Sequence, residues 1–135
     1  MRFATREWID ALVAALNRQP DLSRALAGLP GDAAFVIEAE RPSWPADVAA
    51  YARHDGRRVA WRLLADADDI LELEPAYVLR APYGMWKGLL NGVDPVKAAL
   101  SGRVRVDGDL EALVRRSAYR YVVDAALAAV TTEFP

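Results

Sequence analysis

The stretch SGRVRVDGDL, Ser101 to Leu110, alternates two arginines with two valines and brackets them with glycines. Such a pattern is either a basic strip laid along a phosphate backbone or a half-buried strand with one wet and one apolar face. Charge argues against the first. The 135 residues carry 17 Lys plus Arg against 19 Asp plus Glu, a formal net charge of -2, so no overall positive field exists to attract nucleic acid or an anionic membrane. Neighbouring segments favour the second. In AFVIEAE, Phe35, Ile37 and Ala39 point one way while Glu38 and Glu40 point the other, and Val59, Trp61 and Leu63 alternate with Arg58 and Arg62. Val104 and Val106 then continue an apolar face already begun by Phe35, Ile37, Trp61 and Leu63. Arg103 and Arg105 join the solvated face, where opposite charges pair across strands at roughly 0.2 to 1 kcal/mol each.

Outward from this strand the period changes repeatedly. Thr5 to Asn17 places Trp8, Ile9, Leu12, Val13 and Leu16 at helical spacing behind a Thr5 cap, and a shorter helix is expected over Asp21 to Ala27, ending at Gly28. RPSWP ends the first strand, because two prolines cannot donate to a ladder. Asp47 to Arg53 and Arg57 to Leu64 flank HDGR, the turn chemistry of a two-residue hairpin. DADDILELEP is read as an acidic connection holding at most a short strand, and Tyr77 to Ala81 as the next strand. Met85, Trp86, Leu89 and Leu90 form a short helical face closed by Asn91 and Gly92. Asp94-Pro95 opens a helix to Leu100, since the carboxylate caps and proline suits the first helical position. Asp107, Gly108 and Asp109 lead into a helix through Leu110, Leu113 and Val114, and a last helix runs from about Ala118 to Val130.

The inventory of reactive groups is thin. No cysteine is present, which excludes disulfides, thiolate catalysis and Cys-ligated metals and suits a reducing cytoplasm. His54, the one histidine, falls in the expected hairpin turn. The acidic run Asp66, Asp68, Asp69, Glu72 and Glu74 lacks the glycine and spacing of a calcium loop. Ser23, Ser43, Ser101 and Ser117 have no nucleophile-elbow context, and Gly84, Gly88 and Gly92 recur at helical spacing rather than in a phosphate loop. Arg115, Arg116 and Arg120 form a basic cluster at a helix end. The N-terminus MRFATREW carries charge where a signal peptide needs an apolar run, and no segment has 18 uninterrupted apolar residues. Large rings are plentiful: Trp44, Trp61, Trp86, Tyr77, Tyr83 and Tyr119. Most fall on inner faces, and short helices laid over one sheet face make an irregular lid that can enclose an elongated apolar cavity.

The run APYGMWKGLLNGVDPVKAALSGRVRVDGDLEAL, Ala81 to Leu113, resembles the signature half of the sterol carrier protein type 2 domain family. The likeness is carried by Tyr83, Trp86, Gly92, Asp94, Pro95, Gly102, Val104, Val106, Gly108 and Asp109, taken in order. Glu7, Trp8 and Asn17 resemble the first helix of short bacterial members. The resemblance implies an α/β (α+β) domain with a five-stranded, largely antiparallel sheet, helices packed on one face, and a hydrophobic cavity between them. It also implies binding, without chemistry, of sterols, fatty acids, acyl-CoAs or phospholipids, which members can transfer between membranes. Two departures stand out. The chain ends in TTEFP rather than a peroxisomal Ser-Lys-Leu address, and its long last helix either lines the cavity or fills it.

The expectation is therefore one domain over residues 1–135, cytoplasmic, not an enzyme, without cofactor or metal, that sequesters a hydrophobic small molecule or lipid. Nucleic acid is not an expected partner; transient membrane contact and a homodimer remain open. Phe35, Ile37, Trp61, Tyr77, Trp86, Leu90, Val123 and Leu127 are the expected ligand-binding residues, because they share inner faces. The alternative is an interaction or dimerisation module with a filled core, docking on a partner protein through an aromatic surface around Trp44 or the last helix.

Overall fold

Thr5 begins the first helix, α1 (Arg6–Asn17), as its hydroxyl accepts the Trp8 N–H at 3.3 Å and so satisfies one of the donors a helix start leaves open. The computed structural model describes residues 1–115 and 118–135; Arg116 and Ser117, singled out in the sequence, lie outside the described residues. After α1 come α2 (Leu22–Leu26), β1 (Asp32–Glu38), β2 (Val48–His54) and β3 (Val59–Leu63). A 3-10 turn (Ala67–Asp69) runs into α3 (Ile70–Leu73), followed by β4 (Tyr77–Pro82), α4 (Tyr83–Leu90) and α5 (Pro95–Leu100). The chain closes with β5 (Arg105–Asp107), α6 (Leu110–Arg115) and α7 (Ala118–Ala128).

The strands form one five-stranded mixed sheet in the order β3-β2-β1-β4-β5. Three pairings are antiparallel, and β1 with β4 is parallel. Paired residues share a face, so the register fixes what each side presents. One rung, Leu63, Ala50, Phe35, Leu79 and Val106, crosses all five strands; the next, Trp61, Ala52, Ala33 and Tyr77, crosses four. Both lie on the inner face, toward α1. Between them Arg62, Tyr51, Ala34, Val78 and Asp107 form an outer rung. The expected pairing across the wet face occurs between Arg105 and Glu38.

Several expectations are corrected. The acidic segment forms no strand. Asp66 accepts the Asp68 N–H at 2.9 Å and Asp69 accepts the Asp66 N–H at 3.3 Å, so the carboxylates cap a 3-10 turn. That turn swings α3 onto the outer face, where Ile70 packs on Ala34, Val36, Ala49 and Val78. The β2–β3 ladder ends at His54 and Val59, leaving four residues in the turn rather than two, with Asp55 accepting the Arg57 and Arg58 N–H groups at 2.9 Å. Those bonds hold the Asp55 carboxyl below its ordinary range, Arg58 contributing first.

β5 starts two residues later than the alternation suggests. Gly102, at φ +78°, closes α5 with the Gly102 N–H on Ala99 O and the Arg103 N–H on Ala98 O, a Schellman ending. Arg103 therefore stays outside the sheet and bonds the Ser101 hydroxyl. Val104 is buried, but against Ala81 and Ala98 below α4 and α5. Asp94 caps α5 as expected, accepting the Val96 N–H at 2.9 Å with Pro95 at the first position.

Candidate functional site

Between the inner face and the helices lies a cavity of about 460 Å³. The sheet supplies its floor through Ala33, Phe35, Ile37, Ala50, Ala52, Trp61 and Leu79. α1, α2 and α7 make most of the roof, with α4 at one flank; the principal helical neighbours of α7 are α1 and α2. All eight residues singled out in the sequence, Phe35, Ile37, Trp61, Tyr77, Trp86, Leu90, Val123 and Leu127, line this cavity. Sequence reading missed Leu22, Leu26, Leu29, Tyr119 and Val122 as wall residues. It placed Leu12, Val13 and Leu16 on an apolar helix face without assigning that face to a cavity. Their spacing was legible, but the gap they face was not.

The roof is held off the floor by directional bonds at its edges. The Asn17 carboxamide donates to Val59 O at 3.0 Å and accepts the Val59 N–H at 2.8 Å, completing the edge of β3 as another strand would. Nearby the Trp61 indole N–H donates to Asp10 at 2.9 Å, again tying β3 to α1. On the opposite edge Tyr77 donates its phenol to Asp109 O at 2.6 Å. Gly108, at φ +136°, permits this closure, since a Cβ there would stand 2.5 Å from the Tyr77 ring and 2.7 Å from Ala76 O. The Trp86 indole N–H reaches Val36 O and Ala81 O, both at 3.0 Å, and its ring meets Phe35 edge-on at 6.3 Å.

One end of the cavity is closed by rings. Phe3 lies 5.0 Å from Trp8, 5.8 Å from Trp44 and 5.4 Å from Phe134, and Trp44 stacks on Tyr83 at 4.9 Å. The two termini meet here: the Phe3 N–H donates to Glu133 O at 2.9 Å, and the Trp8 indole N–H to the Thr132 hydroxyl at 2.9 Å. Trp44 is only 8% exposed, and its indole N–H is buried without a hydrogen-bond partner among the described residues. This corrects the expectation of an exposed aromatic surface around Trp44: the ring is part of the closure. On the last helix Tyr121 does stand in solvent, 81% exposed.

The other end holds His54, Leu29, Pro30 and Tyr119. His54 accepts the Gly56 N–H on Nδ1 at 3.1 Å, which assigns its proton to Nε2, 2.8 Å from Pro30 O. Nδ1 thus serves the hairpin turn, and Nε2 ties His54 to the segment that precedes β1. Burial pushes the Tyr119 phenol above the ordinary tyrosine range, and its hydroxyl donates to Leu113 O at 2.9 Å. Among the described residues no group of three or more His, Cys, Asp or Glu side chains could hold a metal ion. Among them, too, no helix is long and apolar enough to cross a membrane.

No protein-family model matches the chain, and no curated protein does. Solved structures do. The chain is similar to a crystal structure of sterol carrier protein 2, with TM-score 0.77 and 20% identity, over 96% of this chain and 100% of that one. It is similar to a conserved hypothetical protein of Thermus thermophilus described as a candidate sterol carrier protein, with TM-score 0.76 and 20% identity, over 97% of this chain and 92% of that one. The UbiJ-SCP2 ubiquinone synthesis protein follows at TM-score 0.55 and 19% identity, over 93% and 95% of the two chains. The chain therefore has the sterol-carrier-protein-like α+β fold.

Proposed function

We propose that residues 1–135 act as one lipid-binding domain that encloses a hydrophobic ligand between sheet and helices, and that the domain carries such a ligand without transforming it. The observation behind this reading is the cavity itself. Its volume falls within the roughly 300–1,000 Å³ range of small-molecule sites, and its walls are apolar side chains. Voids of this size in an apolar interior are destabilising when empty, so an occupant that replaces the missing contacts stabilises the fold. The likeness to sterol carrier protein structures supports the same reading. A docking module with a filled core finds less support, because Trp44 is buried and the interior is open.

Transfer between membranes would follow if the roof opens at a bilayer surface. The first test is mass spectrometry of an organic extract from natively purified protein, set against a mock purification. A stoichiometric acyl lipid, isoprenoid or sterol-like molecule is the expected result. A clean extract, together with Trp61 and Trp86 fluorescence unmoved by incubation with phospholipid vesicles, would remove the carrier reading.

A further inference from the structure

Two adjoining parts of the outer face, away from the cavity, carry opposite charge. Along the rung of Arg62, Tyr51, Ala34 and Val78, α3 covers the β1 and β4 positions, where Ile70 sits on Ala34 and Val78. The β2–β3 positions form a strip beside it. There the Arg62 guanidinium lies 5.7 Å from the centre of the half-buried Tyr51 ring, and Arg53, Arg58, Ala60 and Arg62 are exposed. Alternation puts all four on the outer face. Asp32, the carboxylate of this strip, is taken up by the Tyr51 phenol at 2.7 Å and the Ala76 N–H at 2.8 Å. Next to the strip, α3 and the turn before it form a ridge on which Asp66, Asp68, Glu72 and Glu74 are exposed. Leu71 stands among them, 76% exposed. Among the described residues none of these arginines and none of these four ridge carboxylates forms an ion pair.

We infer that this face is a dimer interface whose occupant is a second copy of the chain. A twofold axis between ridge and strip lays the acidic ridge of each copy on the arginine strip of the other, and brings Leu71 onto Ala60 and the Tyr51 ring. Both charges and the apolar tip lie side by side on one face, so a single rotation satisfies all of them twice. A polyanion such as nucleic acid would meet the arginines but be repelled by the adjoining ridge. Exposed ion pairs are weak and screened by salt. The dimer is therefore salt-sensitive, with Leu71 supplying apolar burial that the charges lack.

The experiment is sedimentation of the full chain over a range of concentration and salt, alongside two charge-reversed variants, Arg58→Glu/Arg62→Glu and Asp68→Lys/Glu72→Lys. None of the four residues lines the cavity. The wild-type chain should dimerise with rising concentration, with a dissociation constant that increases about tenfold or more between about 50 and 500 mM salt. Each variant alone should be monomeric, because like charges then face each other. Mixing the two should restore a dimer, since both contacts of the mixed pair join opposite charges; variants that had lost their fold would not recover in this way. Leu71→Ser, which keeps every charge, should weaken the wild-type dimer about tenfold. A wild-type chain still monomeric at about 1 mM would overturn the inference, and if that monomer bound polyglutamate through the arginines the strip would belong to a different, acidic protein. A dimer retained by both variants, or two monomeric variants that stay apart when mixed, would overturn it as well.

Discussion

The two faces of the sheet are covered by opposite means. On the outer face Ala34, Val36 and Ala49 are small, and a single short helix drops Ile70 directly onto them; Ile70 is 4% exposed and the contact is filled. On the inner side Phe35, Trp61 and Tyr77 of the sheet and Trp86 of α4 are large, and each of the three with a polar tip spends it on a hydrogen bond. Rings fixed at their tips cannot swing into the space beside them, so they space the roof from the floor. Small residues beneath a short helix give a packed layer; anchored rings beneath long helices leave a void.

That contrast can be broken or sharpened by substitution. The largest effect is expected at Gly108→Ala, where the added Cβ meets the Tyr77 ring and backbone in a conformation that L side chains rarely adopt. A loss of about 2–5 kcal/mol by urea unfolding is expected from strain and overpacking together; a loss under about 1 kcal/mol would show that Tyr77 is not held as described. Next is a paired test of the two faces. Ile70→Ala should cost about 2–5 kcal/mol, because the emptied site is walled by packed neighbours. Val123→Ala, in a residue that faces the cavity, should cost below about 1 kcal/mol, with the better helix propensity of alanine offsetting part of it. Equal losses would contradict the difference between a packed and an open face.

Asn17→Ala should cost about 1–3 kcal/mol, since it strands the half-buried donor and acceptor of Val59. Hydrogen exchange would check it, with faster exchange expected along β3 and little change at β1. The smallest effect belongs to the outer face. Its hydrogen bond to Asp32, with burial second, holds the Tyr51 phenol above the ordinary tyrosine range. The fold favours the protonated phenol, so this contribution is complete below about pH 10 and fades as pH rises through the folded-state value. Tyr51→Phe should cost less than about 1 kcal/mol at neutral pH and flatten the alkaline limb of the stability profile. An unchanged alkaline limb would assign the pH dependence to other groups.

Much of this was written locally. The Thr5 and Asp94 caps, the Gly92 helix ending and the alternation of β1 and β3 each depend on a few contiguous residues, and each is legible in the chain. So were the inner-face positions of the eight wall residues, because a period of 2 or 3.6 assigns a face without knowledge of what lies opposite. The acidic segment was not legible: carboxylates at Asp66 and Asp69 serve a solvated loop and a capped turn equally well. Nor was the hairpin loop, where Asp55 binds two N–H groups beyond the two-residue turn that Asp-Gly suggests.

Only the tertiary structure decided the parallel pairing of β1 with β4, the placement of α3 on the outer face, the burial of Trp44 between Phe3 and Tyr83, and the meeting of the two termini. It alone decided that the inner face encloses space. Local backbone chemistry is settled by neighbours along the chain, whereas a void is the difference between how far apart two surfaces are held and how much side chain stands between them. Residues as remote as Asn17 and Val59, or Tyr77 and Asp109, set that distance, and no window of sequence contains both members of either pair.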